Sequence, residues 1–262
     1  MATIKINNAH YYYELQGQGK PLVFIAGYTC DHRYYLPILD KITKHFQVLI
    51  FDNRGIGSTT DGGEQLSAEL MAEDTLALIK ALGLSKPHVV AHSMGGTIAQ
   101  VIASQYPDQI EKLVLLNTSA KWRQAMVNVL GALLALRQQL NKLDSLVDAS
   151  LALMYAEEFL SNEESVNALK QLILNNPKPQ PVEDQKRQHG VISTFDGRAA
   201  LKKIKAPTLI SYGLQDVISL PLDAEYLHQN INNSKLISLN CGHALLPEVP
   251  DELTEELLKF LL

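Results

Sequence analysis

Val89-Val90-Ala91-His92-Ser93-Met94-Gly95-Gly96 decides how this chain is read. An apolar run typical of a buried strand enters a small-x-Ser-x-Gly turn. A helical pattern over residues 95–106, stopped by Pro107, leaves it. Serine at the apex of a strand–turn–helix is the setting of a nucleophile elbow. The turn must be tight enough to push the hydroxyl out at the sheet edge. The residues two before and two after the serine therefore crowd together, and Ala91 and Gly95 are small enough to fit. The helix N-terminus beyond aims its free N–H groups at the same place, which favours developing negative charge.

Outward from the elbow, short β-rich runs alternate with helical ones. Residues 3–6 and 11–15 flank the turn signal Asn7-Asn8. Residues 22–26, 46–52, 88–91 and 112–117 are apolar strand candidates. Between them, 34–44 and 66–82 carry helical periodicity, the second with Ser67 placed to cap it and Gly83 just past its end. Strands apolar on both faces, separated by helices, predict a mostly parallel sheet covered on both sides. From Lys121 to Asp196 the texture is helical throughout, with a single loop predicted at 175–181. Strand patterns resume at 207–212 and 235–239, with helices at 221–229 and 250–262. The expected organisation is an α/β core in two parts, 1–120 and 197–262, interrupted by a helical lid at 121–196.

A serine hydroxyl is a weak nucleophile and requires a base oriented by a carboxylate. Two strand ends downstream supply them. Tyr212-Gly213-Leu214-Gln215-Asp216 offers an acid and Asn240-Cys241-Gly242-His243 a histidine, in the chain order serine, acid, histidine. Asp196 precedes its strand and Asp223 falls within a helix, so Asp216 is the better acid. The other histidines read as packing or surface residues. His92, beside the serine, is expected to pack along the turn and is also a candidate substrate contact, as is Trp122.

Composition narrows the classes. The 262 residues are 46% hydrophobic and 19% charged with net charge −5, a globular balance without the basic footprint of a nucleic-acid binder. No apolar run approaches the length that spans a bilayer, and the N-terminus lacks a signal-peptide pattern. A cytoplasmic protein acting on a small molecule, as monomer or homodimer, without nucleic acid or membrane partner, is the expectation. Cys30 and Cys241 form neither a disulfide framework nor a metal-ligand spacing. Gly17-Gln18-Gly19 and Gly55-Ile56-Gly57 complete no phosphate-binding fingerprint, so no cofactor or metal is expected.

With these motifs the chain resembles the α/β-hydrolase superfamily over everything but the lid. Asp52-Asn53-Arg54-Gly55-Ile56-Gly57-Ser58 is similar to the family's Asp-x-Arg-Gly-x-Gly-x-Ser turn. Tyr106-Pro107-Asp108, Ala206-Pro207-Thr208-Leu209-Ile210 and Glu248-Val249-Pro250 after Gly242-His243 match further landmarks. The resemblance implies an eight-stranded, mostly parallel sheet flanked by helices, with an inserted helical lid. It also implies a Ser93–His243–Asp216 triad and an oxyanion hole made by the N–H groups of Tyr28 and Met94. The sequence departs from the pattern at Ala26-Gly27-Tyr28, where the family usually has His-Gly. The donor is a backbone group and survives the change. How firmly its loop is held becomes the question, and Tyr28 also becomes a candidate pocket wall.

The lid carries eight Lys/Arg and nine Asp/Glu. That near-neutral balance gives no reason to expect a highly acidic protein partner, while Arg123, Arg137 and Arg187 are each candidates to hold a substrate carboxylate. The implied activity is hydrolysis of small to medium carboxylic esters, lactones or thioesters through an acyl-enzyme. C–C bond, amide or carbamate hydrolysis on the same triad is the alternative. A non-catalytic ligand-binding protein on the same scaffold is the reading from another class.

Overall fold

The computed structural model describes residues 2–262. Eight strands form one sheet: β1 (Ala2–Ile6), β2 (Ala9–Gln16), β3 (Lys20–Ile25), β4 (Phe46–Phe51), β5 (His88–His92), β6 (Leu113–Leu116), β7 (Thr208–Gly213) and β8 (Ser234–Leu239). Their spatial order is β1-β2-β4-β3-β5-β6-β7-β8. The hairpin β1–β2 and the β2–β4 pair are antiparallel, and every pair from β4 to β8 is parallel. Alternate residues of each strand serve opposite faces. Val23 and Ile25 join the layer that includes α2 (Ala68–Ala81), α3 (Met94–Gln105) and α9 (Pro221–Asn230). Leu22 and Phe24 join the layer with α1 (Leu36–Ile42) and α11 (Pro250–Leu261).

Local chemistry sets the boundaries. The Ser67 side chain accepts from Leu70 N–H at 3.1 Å and starts α2. The helix expected over 34–44 is split into a 3₁₀ turn, His32–Tyr35, and α1, because Pro37 takes a position in the first turn of a new helix.

Between β6 and β7 the chain leaves the core and returns where Lys121 and Asp196 pair antiparallel, with Gly197 N–H on Ala120 O at 2.8 Å. The intervening residues form α4 (Gln124–Gln139), α5 (Asp144–Met154), α6 (Glu157–Leu160), α7 (Glu163–Leu174) and α8 (Val182–Thr194). The single loop expected there is one of several breaks. The chain also turns at residues 140–143, 155–156 and 161–162, the last capped by the Asn162 side chain on Ser165 N–H at 3.0 Å. A continuous apolar periodicity conceals such breaks, because each short helix restarts with its apolar face toward the same neighbours. The final turn α10 (Leu245–Glu248) precedes α11. Among the described residues no helix is long and apolar enough to cross a membrane.

Candidate active site

Parallel pairing brings the carboxyl ends of β3, β5, β6, β7 and β8 to one edge of the sheet, the edge where such sheets place ligands. β5 is central, with Ala91 in register with Ile25 of β3 and Leu115 of β6. The turn after it holds Ser93 at φ 53°, ψ −120°, a conformation costly for a residue with a Cβ, by about 1–3 kcal/mol. Neighbours over-determine it. Ser93 N–H donates to Leu116 O at 2.9 Å, and Ser93 O accepts from Gly96 N–H at 2.8 Å and from the Thr118 hydroxyl at 2.7 Å. Gly95 permits the close approach, since a Cβ there would stand 2.2 Å from Ile25 O.

His243 and Asp216 meet at this turn. His243 Nε2 lies 2.8 Å from Ser93 Oγ, and His243 Nδ1 lies 2.8 Å from Asp216 Oδ2. With the Nδ1 proton donated to the carboxylate, Nε2 is left to accept from the serine hydroxyl. All three are nearly sealed from water: Ser93 is 6% exposed, Asp216 2% and His243 2%. Burial alone raises a carboxyl pKa. At Asp216 it is outweighed by His243 and by donors from Ser219 Oγ (2.7 Å), Ser219 N–H (3.0 Å) and Ile218 N–H (2.8 Å), which hold it below the usual carboxylate range.

The N–H groups of Tyr28 and Met94 meet no protein acceptor among the described residues, so both are free to serve a ligand. The loop carrying Tyr28 is held without the imidazole absent at Ala26. Asn53 Nδ2 donates to Ala26 O at 3.0 Å, the Tyr35 hydroxyl to Ile25 O at 2.8 Å, and Thr29 N–H to Gln188 Oε1 at 3.1 Å. The Asp52 carboxylate adds His32 N–H and Nδ1 on one oxygen and Ser58 N–H on the other. Asp31, His32 and Asp52 offer metal-ligand atoms within 4.8 Å of one another, but these protein–protein bonds occupy His32 Nδ1 and both Asp52 oxygens. Arg54 is fully buried and pairs with Asp74 and Glu64, so it braces the following loop away from the serine.

Two candidate substrate contacts have other employment. His92 is buried, stacks on Tyr34, and donates Nε2–H to the backbone oxygen of His243 at 2.9 Å. Burial, then the nearby His243, push its pKa down to about 3. It supports the catalytic-type histidine from behind. Trp122 is 5% exposed and packs in the core layer of α3. Cys30 and Cys241 are both free thiols.

Sequence reasoning missed three supports. Asn117, with φ 44°, donates Nδ2 to both Gly242 O (2.9 Å) and His243 O (3.0 Å) and accepts from Gly213 N–H at 3.1 Å. It ties the acid-bearing and histidine-bearing loops together. Its signal was a polar residue ending the apolar run of β6. Ser219 holds Asp216, as above. Glu248 accepts from Gly242 N–H and from Ala156 N–H of the insert, each at 3.0 Å, while Ala244 N–H donates to Met154 O at 2.9 Å. The insert is thus stapled to the loop that carries His243. In the sequence Glu248 reads only as a landmark after Gly242-His243.

Comparison with known proteins agrees with this fold. A family model described as alpha/beta hydrolase fold matches residues 20–250. The curated "Putative carbamate hydrolase RutD" of Azorhizobium caulinodans is 26% identical, covering 97% of this chain and 95% of that protein. The AB hydrolase superfamily protein YisY of Bacillus subtilis is 27% identical over 93% and 92%. The crystal structure of an enol-lactonase from Burkholderia xenovorans superposes with a TM-score of 0.88 over 99% of both chains, at 22% identity, a likeness of fold. The sheet order, the serine at its central turn and the family match lead to one statement: the chain belongs to the alpha/beta hydrolase fold family.

Proposed function

We propose that this enzyme hydrolyses small to medium carboxylic esters, lactones or thioesters through an acyl-enzyme on Ser93. The observation that carries the reading is the continuous pair of 2.8 Å hydrogen bonds from Ser93 Oγ through His243 to Asp216. His243 Nε2 takes the hydroxyl proton as Ser93 Oγ bonds to the carbonyl carbon. The carbonyl π pair moves to oxygen, where the free N–H groups of Tyr28 and Met94 receive it, each such donor being worth about 10²–10³ in rate. The tetrahedral adduct collapses, the carbon–heteroatom bond breaks, and the leaving group takes the proton from His243. A water molecule, deprotonated by His243, then attacks the acyl-enzyme and the second collapse restores the serine. Asp216 holds the imidazole tautomer and stabilises its cation throughout. The relatives' printed names, a carbamate hydrolase and an enol-lactonase, are consistent with acyl chemistry on carbonyl substrates.

The test is hydrolysis of p-nitrophenyl acetate, butyrate, octanoate and palmitate by the wild type and Ser93→Ala. Serine-dependent turnover, lowered in the variant by about four orders of magnitude or more, is expected. An undiminished rate in Ser93→Ala overturns the proposal. The chain-length optimum sizes the acyl pocket.

A further inference from the structure

The chain has six arginines, and five of them stand within 4.0 Å of a carboxylate. Of the three in the insert singled out above, Arg187 is paired with Asp61 at 2.9 Å and Asp184 at 2.6 Å. Arg123 faces Asp223 at 3.7 Å and donates to Val217 O at 3.1 Å. Arg137 is the exception. Half-buried on α4, it has no carboxylate partner among the described residues. It donates only to neutral oxygens, the Gln185 side chain and Gln180 O, both from the segment that includes α8. Carbonyl oxygens satisfy hydrogens but do not neutralise a guanidinium, so the charge remains uncompensated in a partly desolvated place.

That place adjoins the side chain of Tyr28. Gln185, held by Arg137, and His189 are one turn apart on the same face of α8, and the His189 ring lies 6.4 Å from the Tyr28 ring. The next residue of the loop, Thr29, donates its N–H to Gln188 of the same helix. The Tyr28 hydroxyl is buried beside the Gln185 side chain and the Arg137 guanidinium, and it meets no acceptor for its hydrogen among the described residues. A buried hydroxyl left unbonded is costly, and here it is a donor beside an unpaired cation. Burial pushes the Tyr28 pKa up to about 12, so it remains protonated and able to donate at neutral pH.

We infer that Arg137 and the Tyr28 hydroxyl form an anion subsite roofing the Ser93 site, and that the substrate is an ester or lactone carrying a second, ionised carboxylate. The inference rests on the serine-hydrolase reading for what the subsite serves, but binding tests it without turnover. Arg137 presents five N–H donors and commits only part of them to the two neutral oxygens. A carboxylate would engage the remainder with charge-assisted bonds, and the Tyr28 hydroxyl would add another.

The experiment compares two probes that differ only at one end: monomethyl glutarate, with a terminal carboxylate, and methyl pentanoate, with a methyl in its place. Calorimetry on the Ser93→Ala protein is expected to show the carboxylate probe binding at least about tenfold tighter. In Ser93→Ala/Arg137→Gln that advantage disappears. In Ser93→Ala/Arg137→Lys, which keeps the charge without the planar fork, part of it returns. Equal affinity of the two probes for Ser93→Ala, including failure of both to bind, overturns the inference, as does an advantage that persists in Arg137→Gln. Circular dichroism checks folding, and the lysine variant reads the same ratio if the glutamine variant is not folded. Turnover of mono-p-nitrophenyl glutarate, the activated ester that keeps the carboxylate, is measured separately with the wild type. Its absence alongside an intact carboxylate advantage removes the hydrolase reading and keeps the anion subsite.

Discussion

Helices α3 and α7 are both twelve residues long, and they are opposites. Eleven residues of α3 are buried, against β5, β3, α2 and the base of the insert, whereas none of α7 is. α7 packs chiefly on α5 and α6 and leaves Leu172 66% and Ile173 44% exposed. The difference teaches where this molecule is rigid. The helix behind Ser93 is over-determined by backbone close approach, and its position fixes the serine. The insert is fastened at its base, with Gln188 Nε2 on Arg54 O, Gln180 Nε2 on Gly55 O and Arg187 on Glu64 O and Asp61, and Glu248 and Met154 bond it to the loop of His243. Elements with few buried apolar contacts open most easily, so the amides of α7 are expected to exchange sooner than those of α3.

The contrast can be broken or sharpened by substitution. Gly95→Ala has the largest expected effect. Its new Cβ would lie 2.2 Å from Ile25 O and 2.8 Å from Ala26 O, contacts that backbone alone can relieve. A loss of about 3 kcal/mol or more, or insoluble protein, is expected in urea denaturation. A near-normal stability would show that the elbow is not as constrained as its geometry implies.

Glu248→Gln tests the staple between the two regions. Both carboxylate oxygens accept N–H bonds, so the amide must turn an NH₂ toward one of those donors. Misplacing the histidine loop should lower kcat by about 10- to 100-fold with little change in melting temperature. A kcat equal to wild type would mean that the insert does not influence His243.

Gly131→Ala, inside α4, is the counterpart of Gly95→Ala. Its Cβ meets only the His189 ring, at 3.4 Å, so the helix should gain about 0.5–1 kcal/mol, read as a raised melting temperature. Destabilisation there would show that α4 is packed as tightly as α3.

The smallest effect concerns pH. Burial lowers the His32 pKa, but the bond to Asp52 and the charges of Asp52, Asp31 and Glu14 outweigh it and raise the value above 6.5. A raised histidine pKa stabilises fully below the unfolded value and loses that contribution as pH rises through the folded one. The stability advantage of wild type over His32→Gln should therefore be larger at pH 5.5 than at pH 8.5 in urea titrations. A constant difference would leave His32 a neutral hydrogen-bond donor to Asp52.

Much of the core was legible because its signals are local. Strand apolarity, the cap at Ser67, the small residues around Ser93 and the Gly-His ending of the last strand each act within a few residues. The supports of the site were not legible, because they act across the chain. Asn117 reaches residues 213, 242 and 243. Asn53 supplies from a neighbouring strand end the anchor that Ala26 lacks. The insert was readable as helical but not as five separate helices, since periodicity reports a face and not a break.

By itself the sequence determined the alternation of strands and helices, the elbow, and the order in which serine, acid and histidine appear. Those features follow from local sterics and periodicity, which short stretches of chain encode. Tertiary structure decided which polar groups have partners. It placed Ser93, His243 and Asp216 in hydrogen-bond contact across 150 residues, turned His92 into a support, paired Arg123 and Arg187, and left Arg137 without an acid. Whether a buried charge is compensated depends on residues brought together from distant parts of the chain, and only the folded arrangement supplies that juxtaposition.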